Sequence, residues 1–333
     1  MTARFDLLVV GDANPDVVLH GAPRELAYGQ AEQLARSGAL TVGGSAAITA
    51  CAAACLGLRT ALVSVVGDDA GGRFVCDELE SRGVDTGGVS RDAGWRTGLT
   101  VALAHGDDRA IVTAPGCIDE LHAELVGAGL LSSARHVHAG SFFLQPRLAA
   151  GLAGLFAAAH AAGATTSLDL NWDPSGRWDG GLAHVLPAVD VLFVNAAEAA
   201  AVSGAADPAV AAVALGARGP LPVIKLGAAG ALAHDGCRLV SVSAPGVVVA
   251  DTVGAGDSFD AGFICARLMG WEVSRCLALG VVVGSLSTRA AGGVDAQPTR
   301  EEALALIEGL VPPGAPSDAP PAGSVPPGAR CGR

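Results

Sequence analysis

Lysine is almost missing from this chain: Lys225 is the only one in 333 residues. That excludes a GxxxxGK[ST] phosphate loop, because Lys225 is followed by Leu226. Positive charge is scarce altogether. Lys and Arg number 21 against 33 Asp and Glu, a formal net charge of −12. A protein that tracks a nucleic-acid backbone needs the opposite balance. Aromatic residues make up 4 % of the chain, too few for base-stacking platforms. The eight cysteines contain no CxxC pair and form no recognisable disulfide framework. Cys51 and Cys55, four apart in an Ala-rich run, read as small packing residues on one helix face. No unbroken apolar run reaches the roughly 18 residues of a membrane span, and no signal peptide stands out. The expectation is a cytoplasmic protein with neither membrane nor nucleic acid as partner.

What is present is apolar and small. Half of the residues are hydrophobic, mostly Ala, Val and Leu, which suffices for a large buried core. Phe5–Val10 reads as a buried strand, Ser45–Leu56 as a helix, Thr60–Val66 as a strand and Gly71–Ser81 as a helix. From about residue 135 the alternation is regular. Strands are expected at His136–Ala139, Thr166–Leu170, Val191–Asn195 and Leu221–Leu226, with helices around Pro146–Ala162, Ala196–Val202 and Ala209–Leu215. A hairpin at 231–243 and helices at 255–269, 273–290 and 299–309 follow. This βαβ rhythm predicts an α/β fold, a mainly parallel sheet covered by helices on both faces. Two stretches break the rhythm. Residues 17–41 and the hairpin pattern within 95–113 predict a small sheet that projects from the main domain. The folded part is expected to span 1–310 and the Pro/Gly-rich stretch 311–333 to be a disordered tail.

The segment Asp251-Thr-Val-Gly254-Ala255-Gly256-Asp257 is the strongest chemical signal. Two glycines around a small residue at a helix entry let backbone N–H groups approach an anion. Asp257 there is either a helix cap or a positioned carboxylate. Gly43-Gly44-Ser45 opens a second helix. Gly11-Asp12-Ala13-Asn14-Pro15-Asp16 follows the first strand, where ligands of open α/β sheets bind, and otherwise reads as an ordinary turn. Asn195-Ala-Ala-Glu198 is both a possible capping pair and a donor set sparse enough for Mg²⁺. Lys225, before Gly227 and Gly230, suggests a nucleotide contact at a strand end. Asp169 and Asn171 close another strand. His136 and His138 alternate on one strand face without a third ligand nearby in sequence, which favours packing over metal binding.

These segments, in this order over about residues 4–309, resemble the ribokinase/PfkB family of carbohydrate kinases. The resemblance implies a ribokinase-like three-layer α/β/α sandwich with a small β-sheet lid. It implies ATP and Mg²⁺, a small sugar as acceptor, Asp257 as general base and the 254–257 backbone as anion hole. Asn14, Asp16, Gly43, Gly44, Ser45 and Asp169 would bind the acceptor. Asn195, Lys225, Gly227 and Gly230, with Gly254 and Gly256, would bind ATP. Glu198 and Asn195 would serve Mg²⁺ through water, and Asp251 with carbonyls around Ala290–Gly293 would hold K⁺. Lid strands, with Arg109 beside their hairpin turn, would close over the substrate and could form a homodimer. Two positions depart from the family pattern: Ile48 where Asn is common and Asp173 where Arg is frequent. Asp173 and the net acidity disfavour a sugar phosphate, and Ile48 with the low polarity of the GGSAAI segment leaves a nucleoside as the alternative acceptor. A dinucleotide-dependent oxidoreductase fits poorly, since the first strand ends in GDANPD rather than GxGxxG. A non-catalytic sugar- or nucleotide-binding protein is the third reading, and the intact Asp257 argues against it.

Overall fold

The structure, a computed structural model, describes residues 3–105 and 108–307. The expected tail at 311–333 lies outside the described residues. The strands are β1 Phe5–Val10, β2 Asn14–His20, β3 Ser37–Gly43, β4 Thr60–Gly67, β5 Asp85–Asp92, β6 Leu99–His105, β7 Asp108–Ala114, β8 Ala134–Ala139, β9 Thr165–Asp169, β10 Val191–Asn195, β11 Leu221–Lys225, β12 Ala231–His234 and β13 Leu239–Val242. The helices are α1 Ser45–Cys55, α2 Ala70–Ser81, α3 Ala128–Leu131, α4 Pro146–Ala161, α5 Leu182–Val185, α6 Ala196–Ser203, α7 Pro208–Gly216, α8 Ala255–Leu268, α9 Val273–Ser287 and α10 Arg300–Ile307.

Nine strands form one sheet in the order β13-β12-β11-β10-β9-β8-β1-β4-β5. All neighbouring pairs from β11 to β5 are parallel, and only the β12 and β13 pairings are antiparallel. Period-2 alternation explains why these strands are apolar throughout. Leu7 and Val9 of β1 join the cluster formed with α1, α8 and α9, whereas Leu8 and Val10 join the cluster formed with α4 and α7. The strand β5 (DTGGVSRD) was not foreseen. It is a half-exposed edge strand without an apolar run, so its pairing with β4 carries it.

The second sheet has the order β3-β2-β6-β7. It contains the expected 98–113 hairpin, as β6 and β7. It also corrects one expectation: Asn14 and Asp16 do not lie in a turn after β1 but within β2, paired with Gly43 and Thr41. The lid strand therefore carries them. β2 and β3 are joined by an exposed, irregular stretch rather than by continuous strand across 17–41.

Candidate active site

The parallel strands and the N-terminus of α8 converge on a cavity of about 620 Å³. Its lining includes Asn195, Glu198, Lys225, Gly227, Gly230 and Gly254–Asp257, with Asn171 from the far side and Arg109 from the lid. Segments separated by up to 150 residues in the chain thus share one wall-to-wall space.

The α8 entry is set by Gly254, which caps the helix at φ 69°. A side chain could not stand there: a Cβ would lie 2.8 Å from Gly293 Cα and 2.9 Å from Ile48 Cγ2. The first-turn N–H groups of a helix have no intrahelical acceptor; here Ala255 N donates back to Thr252 O at 3.4 Å, and the Gly254–Asp257 turn lines the cavity at the positive end of the helix dipole. Asp257 projects from the same turn. Ser45 Oγ donates to its Oδ1 at 2.5 Å, which ties the α1 entry to the α8 entry. Burial, reinforced by the nearby charge of Asp169, raises the Asp257 carboxyl to about 7.

Asn195 and Glu198 form a reciprocal capping box at the start of α6. Glu198 Oε2 accepts from Asn195 N at 2.9 Å and Oε1 from Asn195 Nδ2 at 2.5 Å. Both residues also line the cavity, so cap and ligand roles coincide on one pair. Burial and then the Asp169 charge push the Glu198 carboxyl upward.

Lys225 and Asp169 behave differently from what the sequence implied. Lys225 Nζ donates to Asp169 Oδ2 at 2.6 Å and to both Asp260 oxygens at 3.2 Å. Asp169 is thus the partner of a lysine rather than an open acceptor for substrate hydroxyls, and Lys225 is occupied by protein groups. Burial opposes ionisation of Asp169, but Lys225 outweighs it and holds the carboxyl low. Asp260 was missed by sequence reasoning. It lies one helical turn beyond Asp257, and only that i+3 spacing on α8 could have flagged it.

On the acceptor side, Asn14 Nδ2 donates to Asp16 Oδ1 at 2.8 Å and to Thr100 Oγ1 at 3.2 Å. Gly43 is required beside them: a Cβ there would meet Asp16 Oδ1 at 1.7 Å. Burial and the charge of Asp12 raise the Asp16 carboxyl to about 7. Asp12 is itself buried and accepts from Ser141 Oγ at 2.8 Å. Asn171 Nδ2 then donates to Ser141 Oγ at 3.2 Å. Ser141 and Asn171 both adopt left-handed backbone, φ 57° and 55°, a strained arrangement that clusters at binding sites.

The family model for pfkB carbohydrate kinases matches residues 4–300. The chain belongs to this family. It is 33% identical over 313 residues to an ATP-dependent ribose-1-phosphate kinase of Halopiger xanaduensis, covering 90% of this chain and 97% of that protein. It is 28% identical to a ribokinase of Haemophilus influenzae, over 92% and 99% of the two chains. A ribokinase from Arabidopsis thaliana, solved with ribose and ATP, superposes with a TM-score of 0.79 at 24% identity, over 92% of this chain and 99% of that one. An adenosine kinase from Sinorhizobium meliloti gives a TM-score of 0.77 at 25% identity, over 87% and 96%. The protein is an ATP-dependent carbohydrate kinase with the ribokinase-like fold.

Against the PfkB pattern, the two departures have physical explanations. Ile48 is buried and packs on Gly254 and Gly293 behind the α8 entry, so it shapes that turn from behind. Asp173 accepts from Ser175 N, Ser175 Oγ and Trp178 N and orders its own turn. His136 and His138 bond to Thr165 and Ser167 as buried packing residues. Asp251 accepts from Val253 N in its own loop and from Gly292 N in the segment after α9, which ties the two together. The stretch Ala244–Val249 also lines the cavity and was not singled out, because it carries no polar side chain beyond its flanks. Arg109 reaches across from the lid and donates to Thr252 Oγ1 at 2.5 Å. No helix among the described residues is long and apolar enough to cross a membrane.

Proposed function

We propose that this kinase transfers the γ-phosphoryl group of ATP to a hydroxyl of a small neutral sugar, with Asp257 as general base. The observation that carries this reading is the placement of Asp257: its carboxyl shares one helical turn with the Gly254–Gly256 backbone and is held by Ser45 at the acceptor end. The acceptor hydroxyl gives its proton to Asp257 Oδ as its oxygen attacks the γ-phosphorus, and the bond from that phosphorus to the β,γ-bridging oxygen breaks to release ADP. Negative charge on the transferring oxygens meets the N–H groups of the Gly254–Asp257 turn. The nucleotide would lie along Gly227–Gly230 and the Ala244–Val247 stretch, which line the cavity. Asn195 and Glu198 suit Mg²⁺ held through water, since a carboxylate and an amide face the cavity together. Held there by Asn195 and Glu198, such an ion would supply positive charge to offset that of the phosphates. Asp251 and the Gly292–Gly293 backbone are the proposed K⁺ position. Arg109, joined to Thr252, draws the lid over the site, and closure excludes water that would otherwise hydrolyse ATP.

A neutral acceptor fits because Asp257 lines the cavity and the buried Asp12 lies close enough to act on its charge, acidic surroundings that favour hydroxyls over a second phosphate. A pentose 1-phosphate is the second reading. It is supported by the ribose-1-phosphate kinase relative and by the lid arginine. A nucleoside is the third. A homodimer would use the lid's outer face, where Leu40, Val17, Val101 and Val112 lie in one cross-strand row and Leu40 and Val112 are exposed. ADP release with MgATP and D-ribose, D-fructose, D-ribose 1-phosphate or adenosine tests the reading. Turnover with the free sugars is expected. Turnover confined to the phosphate or the nucleoside moves the acceptor class accordingly. Binding of ATP without turnover on any of a broad panel returns the protein to the non-catalytic reading.

A further inference from the structure

The sole lysine of the chain ends β11 beside the cavity, held between two buried carboxyls. An ammonium carries three N–H donors. Lys225 has three acceptors, Asp169 Oδ2 at 2.6 Å and the two Asp260 oxygens at 3.2 Å each. A phosphate oxygen could take one of these donors only by displacing a carboxyl. The two acids are almost fully buried, with side chains 2 % and 0 % exposed.

The position of the ammonium matters as much as its partners. A Cβ on Gly256 would lie 3.2 Å from Lys225 Nζ, so the charge sits directly beneath the second glycine of the anion-hole turn. Asp169, Asp257 and Asp260 bring carboxyl oxygens within 4.8 Å of one another. Three acids at that spacing form a donor set for a hard cation. Here the cation is built in: the ammonium reaches two of the three. Left bare, these acids would stand behind the turn where a phosphoryl group gathers negative charge.

We infer that Lys225 is a positioning residue for phosphoryl transfer: locked between Asp169 and Asp260 beneath Gly256, it fixes the first turns of α8 and offsets one unit of the acid charge behind the proposed anion hole, rather than gripping the nucleotide. Two of its partners lie 56 and 35 residues away in the chain, so one side chain ties the ends of β9 and β11 to α8. A lysine suits this place because its compact charge satisfies both acids in a narrow space, where a planar guanidinium would need more room. The inference rests on the kinase reading above.

The test compares wild type, K225M, D260A and K225M/D260A. MgATP affinity is measured by calorimetry, and turnover with the first acceptor returned by the screen. K225M is expected to lower kcat by about 10²-fold, the cost of weakening an anion hole, while the MgATP dissociation constant changes by less than about threefold. D260A is expected to lower kcat about tenfold, again with affinity kept, and the double variant to be no worse than K225M, since the residues act as one unit. A merely structural defect would not separate kcat from affinity in this way. Affinity weakened tenfold or more with kcat preserved would make Lys225 a nucleotide ligand and overturn the inference. So would losses that multiply in the double variant, or unchanged kcat in K225M. If K225M does not fold, K225M/D260A, which removes the cation and one acid together, is read by the same two measurements. Failure of the wild type to bind MgATP and to turn over any acceptor would instead remove the kinase reading itself.

Discussion

At the scale of single residues, the chemistry depends on what surrounds one carboxyl. As the proposed base, Asp257 must be ionised to take a proton, yet burial and the Asp169 charge hold its carboxyl up at about 7. A base poised near the working pH is efficient. The sign of the pH dependence follows. As pH falls through about 7, Asp257 gains a proton and the base is lost, so kcat/KM for the acceptor should fall about tenfold per unit on the acid side. D257N removes the base altogether. It should lower kcat by at least about 10²-fold while leaving MgATP binding nearly intact, and its residual activity should lose that acid limb. Initial rates from pH 5.5 to 8.5 on both proteins decide this. Turnover near wild type in D257N would take the base role away from Asp257.

At the scale of elements, the site depends on how helices begin. The α8 entry works because Gly254 adopts φ 69° against Gly293 and Ile48. G254A is therefore expected to cost about 1–3 kcal/mol through left-handed strain and contact and to lower kcat at least tenfold by tilting the first-turn N–H groups. Thermal melting and turnover on the same preparation check both parts. A stable, fully active G254A would mean that the turn tolerates a side chain. Helix entries of this kind are legible in sequence, since glycines, Asn-x-x-Glu and an acid in the first turn are local signals. The hairpin across residues 98–113 was legible for the same reason. What escaped was non-local. The Lys225 pairings depend on β9, β11 and α8 meeting in space, and nothing near Lys225 in sequence announces Asp169 or Asp260. The strand β5 has no apolar alternation, because an edge strand needs little. The position of Asn14 and Asp16 in β2 was misplaced because Asn-Pro-Asp is also good turn chemistry.

At the scale of the whole molecule, the fold gathers acids at one end of its sheet and holds them there at a cost. Asp12, Asp16, Glu198, Asp257 and Asp260, five groups, all have carboxyls raised above their ordinary values, in each case first by burial. A raised carboxyl binds its proton more tightly folded than unfolded. Its contribution to stability is fully present below the unfolded value near 4 and is lost as pH rises through the folded one. His136 and His138 pull the other way. Burial holds both low, His138 at about 4, so they favour the folded state above about 6.5 and lose that contribution as pH falls. Between about pH 4 and 7 the five acids oppose two histidines. The ligand-free protein should therefore melt at a higher temperature near pH 5.5 than at pH 8, contrary to ordinary acid denaturation. The same reasoning makes Asp257, the proposed base, a liability. At pH 8 Asp257 is ionised in an environment that disfavours its charge, whereas Asn carries none, so D257N should melt about 2–5 °C above wild type. That gap should narrow as pH drops below 7 and Asp257 takes up its proton. Melting curves of both proteins at pH 5.5, 7 and 8 are the measurement, and a D257N that melts lower than wild type at pH 8 would show that the ionised carboxylate is well accommodated in the fold.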